Sequence, residues 1–204
     1  MFLKKINEGL AQAIDEAGYE SPKFLQKKGM SKIKSGTDVI CIGPEGSGKT
    51  TAIVMGIIQK LGAALNDVPR ALVVVPEREH ALDMKEYFDI LGKNTNLRVH
   101  CVYNRTKMPE LKNAIYLGAD VVIGTAKRLH DLYSQSGLNL NDLKMFVIDD
   151  AEEIMKLEVM SQIDRLTDII PDVQHILFAT EYNDRIERYA EKYMDVMEII
   201  EDKE

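Results

Sequence analysis

Val39-Ile40-Cys41-Ile42-Gly43-Pro44-Glu45-Gly46-Ser47-Gly48-Lys49-Thr50 is the stretch on which the fold of this chain turns. Its first four residues are apolar and mostly branched, as in a strand buried on both faces. The next eight fit G-x-x-x-x-G-K-[ST], and a helix-compatible run, Thr51-Ala52-Ile53-Val54-Met55, follows. Strand, glycine-rich loop and helix in that order give the motif a mechanism. The glycines let the backbone curl until successive N–H groups face one anion, and the positive end of the next helix adds to the attraction. Lys49 is placed to reach the outer phosphates of a nucleotide, and the Thr50 hydroxyl to hold Mg²⁺. Gly43, Glu45, Gly46, Ser47, Gly48 and Thr51 complete the expected binding loop.

Outward from this loop, short apolar runs alternate with longer amphipathic ones. The runs predict strands at Val39–Ile42, Ala71–Val75, Val99–Tyr103, Val121–Ile123, Met145–Ile148, His175–Phe178 and Val196–Ile200. Helical spacing marks 5–17, 49–64, 77–91, 107–117, 126–134, 152–168 and 183–193. Ser21-Pro22 reads as an N-cap with proline at the first helical position. Alternation of this kind predicts an α/β domain, a mainly parallel sheet with helices on both faces. In such sheets ligands sit beyond the carboxyl ends of the strands. At that end of one strand stand Asp149, Asp150 and Glu152, in Phe146-Val147-Ile148-Asp149-Asp150-Ala151-Glu152. Paired with the phosphate loop, they form the acidic half of an NTPase site: Asp149 for Mg²⁺, Asp150 to polarise the attacking water.

Composition bounds the reading. A chain of 204 residues, 45% hydrophobic and 29% charged, suits one domain with a substantial core. The apolar runs are too short for a bilayer, and Met1–Glu8 turns polar at once, without a signal-peptide core. The two cysteines, Cys41 and Cys101, fit neither a disulfide framework nor a metal motif, and point to the cytoplasm. Net charge −7 argues against tight nucleic-acid binding by a basic face. The four histidines show no metal-ligand spacing, and Arg165, Arg185 and Arg188 fall on solvated helix faces.

Taken in order, these segments resemble the first RecA-like domain of DEAD-box RNA helicases, over the whole chain. Gly18-Tyr19-Glu20-Ser21-Pro22-Lys23-Phe24-Leu25-Gln26 resembles the Q motif, and the resemblance implies that Gln26 reads adenine; the family's upstream aromatic falls near Phe2. Gly43–Thr50 resembles motif I. Pro76-Glu77-Arg78-Glu79 resembles motif Ia, with glutamate where the family has threonine, and His80 follows where the family has leucine. Thr125-Ala126-Lys127-Arg128 resembles motif Ib, Asp149-Asp150-Ala151-Glu152 stands at Asp-Glu-Ala-Asp, and Ala179-Thr180-Glu181 replaces Ser-Ala-Thr. Tyr103-Asn104 lies nearest to the family's glycine pair.

The resemblance implies a single RecA-like domain over 1–204, binding ATP and Mg²⁺ through these residues, with Glu152 linking motif II to motif III. Arg78, Thr125 and Arg128 would face RNA, weakly or through a partner. Asp150 is one methylene shorter than the family's glutamate. The second RecA-like domain, which supplies arginine fingers in the family, has no counterpart in these residues and would be a separate partner. Slow ATP hydrolysis is therefore the expectation. The alternative is a non-catalytic, nucleotide-switched module that binds a protein partner and has lost its coupling to RNA.

Overall fold

The computed structural model describes residues 6–104, 106–156, 159–170 and 172–203. Phe2 therefore lies outside the described residues. The strands are β1 (Asp38–Ile42), β2 (Ala71–Val74), β3 (Val99–Val102), β4 (Val121–Gly124), β5 (Met145–Ile148), β6 (Gln174–Ala179) and β7 (Met197–Glu201). They form one sheet in the order β3-β4-β2-β5-β6-β1-β7, every pair parallel. Each predicted strand is present, with ends moved by a residue or two.

Among the described residues the helices are α1 (Glu8–Glu16), α2 (Phe24–Ser35), α3 (Lys49–Leu61), α4 (Arg78–Leu91), α5 (Met108–Tyr116), α6 (Ala126–Ser134), α7 (Ala151–Ile154), α8 (Met160–Ile169) and α9 (Asp184–Tyr193). The strands alternate their side chains between two cores. Val39 and Cys41 join Val73, Val147 and Phe178 beneath α1–α4. Ile40 and Ile42 join Leu72, Phe146, Ile148 and Leu177 beneath α5–α9. Both faces of the sheet are thus covered, which is why its strands read as continuous apolar runs. Among the described residues no helix is long and apolar enough to cross a membrane.

Two helix predictions need correction. Ser21-Pro22 does not start α2: the N-cap is Lys23, whose backbone N–H donates to the Gln26 side chain at 2.8 Å. That bond satisfies one of the orphan donors at the helix start and delays the helix. The predicted 152–168 helix is two helices, α7 and α8. α7 stops at Met155, whose carbonyl accepts from Arg185 Nη1 at 3.0 Å instead of continuing the ladder. No glycine or proline marks the break, so periodicity ran straight through it.

Candidate functional site

Adjacent carboxyl ends of β5, β6 and β1 place three segments side by side. The loop 43–48 joins β1 to α3, Asp149 follows β5, and Thr180 follows β6. Gly43 N–H donates to Ala179 O at 3.0 Å, holding the loop against β6. Gly46 and Gly48 have φ of 78° and 86°, a region L side chains rarely adopt. A Cβ at Gly48 would also stand 2.8 Å from Gln26 Nε2.

Gln26, on α2, is buried and bridges two elements. Its Oε1 accepts from Lys23 N–H at 2.8 Å, and its Nε2 donates to Thr51 Oγ1 at 2.7 Å. The Thr51 hydroxyl in turn donates to Gly48 O at 2.9 Å. The pair therefore braces the loop from below. Lys49, also buried, lies across the loop and donates to Gly43 O at 3.2 Å.

Opposite the loop stands a carboxylate group. Asp149 is buried, and its carboxyl is pushed up to about 7 by that burial, then by the Asp150 charge, with Lys49 pulling the other way. Asp150 takes a left-handed conformation, φ 49° and ψ 53°, as the N-cap of α7. Its pKa is raised as well, again chiefly by desolvation. Glu152 is buried; its Oε1 accepts from Thr180 N–H at 3.0 Å and from the Thr180 hydroxyl.

A cleft of roughly 600 Å³ is lined by Gln26, Glu45, Gly46, Gly48, Lys49, Thr50, Thr51, Asp150 and Glu152. Gly43 and Ser47 belong to the same loop without lining the cleft, and Asp149 lines an adjoining hollow that shares Thr50 and His80 with it. The donor set fits a nucleotide with a hard divalent cation: a loop with two left-handed glycines, the ammoniums of Lys23 and Lys49, threonine hydroxyls and several carboxylates. Three polar atoms here are buried without a partner among the described residues, Ser47 Oγ, His80 Nδ1 and Glu152 Oε2. A hollow of about 710 Å³ at the amino ends of β2, β4 and β5 has no such set of groups.

The three expected RNA residues cluster elsewhere, near the ends of β3 and β4. The Arg78 guanidinium lies 5.1 Å above the Tyr103 ring and pairs with Glu79 at 3.2 Å. Arg128 Nε donates to Tyr103 O at 3.3 Å and its Nη2 to Thr106 O. Thr125 is the N-cap of α6 but makes no capping bond with its side chain. Both arginines therefore grip the loop after β3.

Sequence reasoning missed Tyr19, Lys23, His80, Tyr87, Glu153 and Thr180, all of which line the cleft. Lys23 and Thr180 lie inside segments already singled out and could have been found there. Tyr87 and His80 come from the inner side of α4, and no local signal marks them.

The DEAD/DEAH box helicase family model matches residues 24–187. Eukaryotic initiation factor 4A-1 of Arabidopsis thaliana is 31% identical over 166 residues, 81% of this chain and 40% of that protein. The ATP-dependent RNA helicase DeaD of Mycobacterium tuberculosis is 29% identical over 192 residues, 93% of this chain and 34% of that protein. The chain thus spans two fifths or less of these relatives. The crystal structure of a DEAD box protein from the hyperthermophile Methanococcus jannaschii superposes with a TM-score of 0.92 at 24% identity, over 98% of this chain and 55% of that one.

Proposed function

The chain belongs to the DEAD/DEAH box helicase family, as its first RecA-like domain, and we propose that it binds ATP·Mg²⁺ in the cleft at the carboxyl ends of β1, β5 and β6. The observation that carries this reading is the convergence of Gln26, the loop 43–50 and the carboxylates 149–152 on that cleft.

Each residue then has a physical task. Gln26 spends one donor on Thr51 and one acceptor site on Lys23, which leaves one N–H and one lone pair of its amide. That pair complements the N7 acceptor and N6 donor of adenine. Backbone N–H groups of Gly46 and Gly48 and the start of α3 are offered to the phosphates, while the Ser47 N–H is held by Pro44 O at 3.2 Å, and Lys49 exchanges its carbonyl contacts for phosphate oxygens. Thr50 and Asp149 would hold Mg²⁺, which supplies charge neutralisation at the phosphates. Asp150 orients the attacking water, and Glu152 ties α7 to Thr180 at the end of β6. Because Asp150 is a methylene shorter than the family's glutamate, misplacement of about 1 Å can cost on the order of a hundredfold. By the resemblance, transition-state arginines come from a second RecA-like domain and are worth about 10³–10⁵ in turnover, which residues 1–204 by themselves do not supply. We therefore expect ATP binding with slow hydrolysis, and weak RNA contact through Arg78, Thr125 and Arg128. Two free cysteines agree with a reducing cytoplasm.

One observation favours the second reading, a nucleotide-switched module with a protein partner. Arg78 and Arg128, both half-exposed, are already engaged with Tyr103, Thr106 and Glu79. The test is an ATP titration beside ATP hydrolysis at fixed salt, with and without single-stranded RNA. Binding with RNA-stimulated turnover supports the helicase reading and sinks the module. Binding without any RNA response supports the module. No ATP binding overturns both.

A further inference from the structure

His80 and Asp150 come from distant parts of the chain and meet at the lip of the cleft. Both are places where the chain departs from the DEAD-box pattern, histidine for leucine and aspartate for glutamate. His80 Nε2 lies 3.8 Å from Asp150 Oδ2. Glu153 adds a third donor, and one ligand atom from each of the three lies within 4.8 Å of the others.

The backbone supports this grouping. His80 is in the first turn of α4, facing α7 across the cleft. Asp150 caps α7, and Glu153 N–H donates to Asp150 O at 3.0 Å, so both carboxylates ride on one turn. Nε2 is the nitrogen turned towards Asp150 and so the ligating atom, while Nδ1 is buried with no partner among the described residues. Ligand bonds of about 2.0–2.2 Å put two donors on one ion roughly 3–4 Å apart. Side-chain rotation of about 1 Å closes the set, and His80 and Asp150 are partly exposed while Glu153 is exposed.

We infer that His80, Asp150 and Glu153 form a binding site for a borderline divalent transition ion, zinc being the type. One imidazole and two carboxylates carry charge −2, and the imidazole selects zinc, cobalt or nickel over magnesium, which prefers oxygen alone. The site uses neither Thr50 nor Asp149, although they border the same cleft and its adjoining hollow, and it needs no nucleotide. Where the nucleotide reading holds, the site has a regulatory consequence. An ion here takes the carboxylate that would orient water, so ATP stays bound and unhydrolysed.

The experiment is calorimetric titration of the nucleotide-free chain with Zn²⁺, beside Co²⁺ titration followed by visible absorption. Saturation at about one ion per chain is expected, retained in a large excess of Mg²⁺. His80→Gln and Glu153→Gln should each weaken binding by about tenfold or more, with the Co²⁺ bands lost or shifted in His80→Gln, while His130→Gln on α6 should change nothing. Far-ultraviolet circular dichroism checks folding, and Glu153 is exposed enough that its variant tests the site if His80→Gln is perturbed. Absence of saturable binding, unchanged affinity in both variants, or displacement by equimolar Mg²⁺ would overturn the site. Because ATP is left out, any of these results leaves the nucleotide reading standing, and failed ATP binding leaves the metal site standing.

Discussion

Gln26→Ala separates base recognition from loop support, and its size can be worked from the structure. The substitution deletes two buried hydrogen bonds, from Lys23 N–H at 2.8 Å and to Thr51 Oγ1 at 2.7 Å. At about 1 kcal/mol each, stability should fall by about 2 kcal/mol. Thr51 keeps its bond to Gly48 O, so the loop stays shaped. Base recognition suffers differently. Guanine presents acceptors at both N7 and O6, so the free N–H and lone pair of Gln26 cannot both be satisfied by it. A matched bidentate contact is worth about 1–3 kcal/mol of discrimination, on the order of ten- to a hundredfold for ATP over GTP. Fluorescent-nucleotide titrations of both should show that preference in the parent and near equality in Gln26→Ala. A variant that still prefers ATP by the parent's margin would refute the assignment of Gln26 to the base.

Lys49→Ala removes the buried ammonium that donates to Gly43 O at 3.2 Å, leaving Lys23 on Gly46 O, and should weaken ATP by about a hundredfold or more. Its melting temperature should move by no more than about 2–4 °C, as for a loss of about 1 kcal/mol in a chain of this size. His175 is buried, 3.0 Å from the Tyr189 hydroxyl, and burial lowers its pKa from 6.5 to about 4. The fold therefore favours the neutral ring: stability is full above pH 6.5 and is lost as pH falls towards 4. The total is about 3 kcal/mol at about 1.4 kcal/mol per pH unit, and denaturant titrations of His175→Phe should show a flatter profile in that window. Gly56→Ala would put a Cβ 2.4 Å from Ile33 Cδ1 where α2 crosses α3. Overpacking of about 1–3 kcal/mol should outweigh the helix-propensity gain of about 1 kcal/mol, and Ile33→Val should recover part of the loss in a double-mutant cycle.

How much of this was legible beforehand follows from the range of the forces involved. β1, β2, β4 and β5 were readable because strands covered on both faces need unbroken apolar runs, and Val39–Ile42 or Met145–Ile148 admit little else. Their spatial order, with β1 between β6 and β7, is a long-range property that no window reports. Helix ends failed where side chains from afar intervene. Arg185 ends α7 by taking the Met155 carbonyl, and the two are about thirty residues apart. The phosphate loop was legible because its chemistry is local: glycines at fixed spacing supply the positive φ of Gly46 and Gly48.

The outer parts of the site behave differently, and Arg128 shows why. From sequence it is a cation at a motif position and so a natural phosphate contact. In the structure its guanidinium donates to Tyr103 O and Thr106 O, and Arg78 lies over the ring of the same tyrosine. A glycine pair at this point would offer no ring for Arg78 to cover. With Tyr103-Asn104 there, each arginine that turned towards RNA would give up contacts already made, so the phosphate must compete with the loop. The weak RNA contact we propose would then have two independent sources, the net charge of −7 and the internal engagement of these two cations. They are separable by experiment. Tyr103→Gly removes the ring under Arg78 at constant charge, leaving the Arg128 bonds to backbone carbonyls, and should strengthen RNA binding in a filter-binding assay if the engagement of Arg78 is the cause. If affinity is unchanged in the variant but rises in both proteins as added salt screens the repulsion, the long-range charge is the cause and Arg78 is structural.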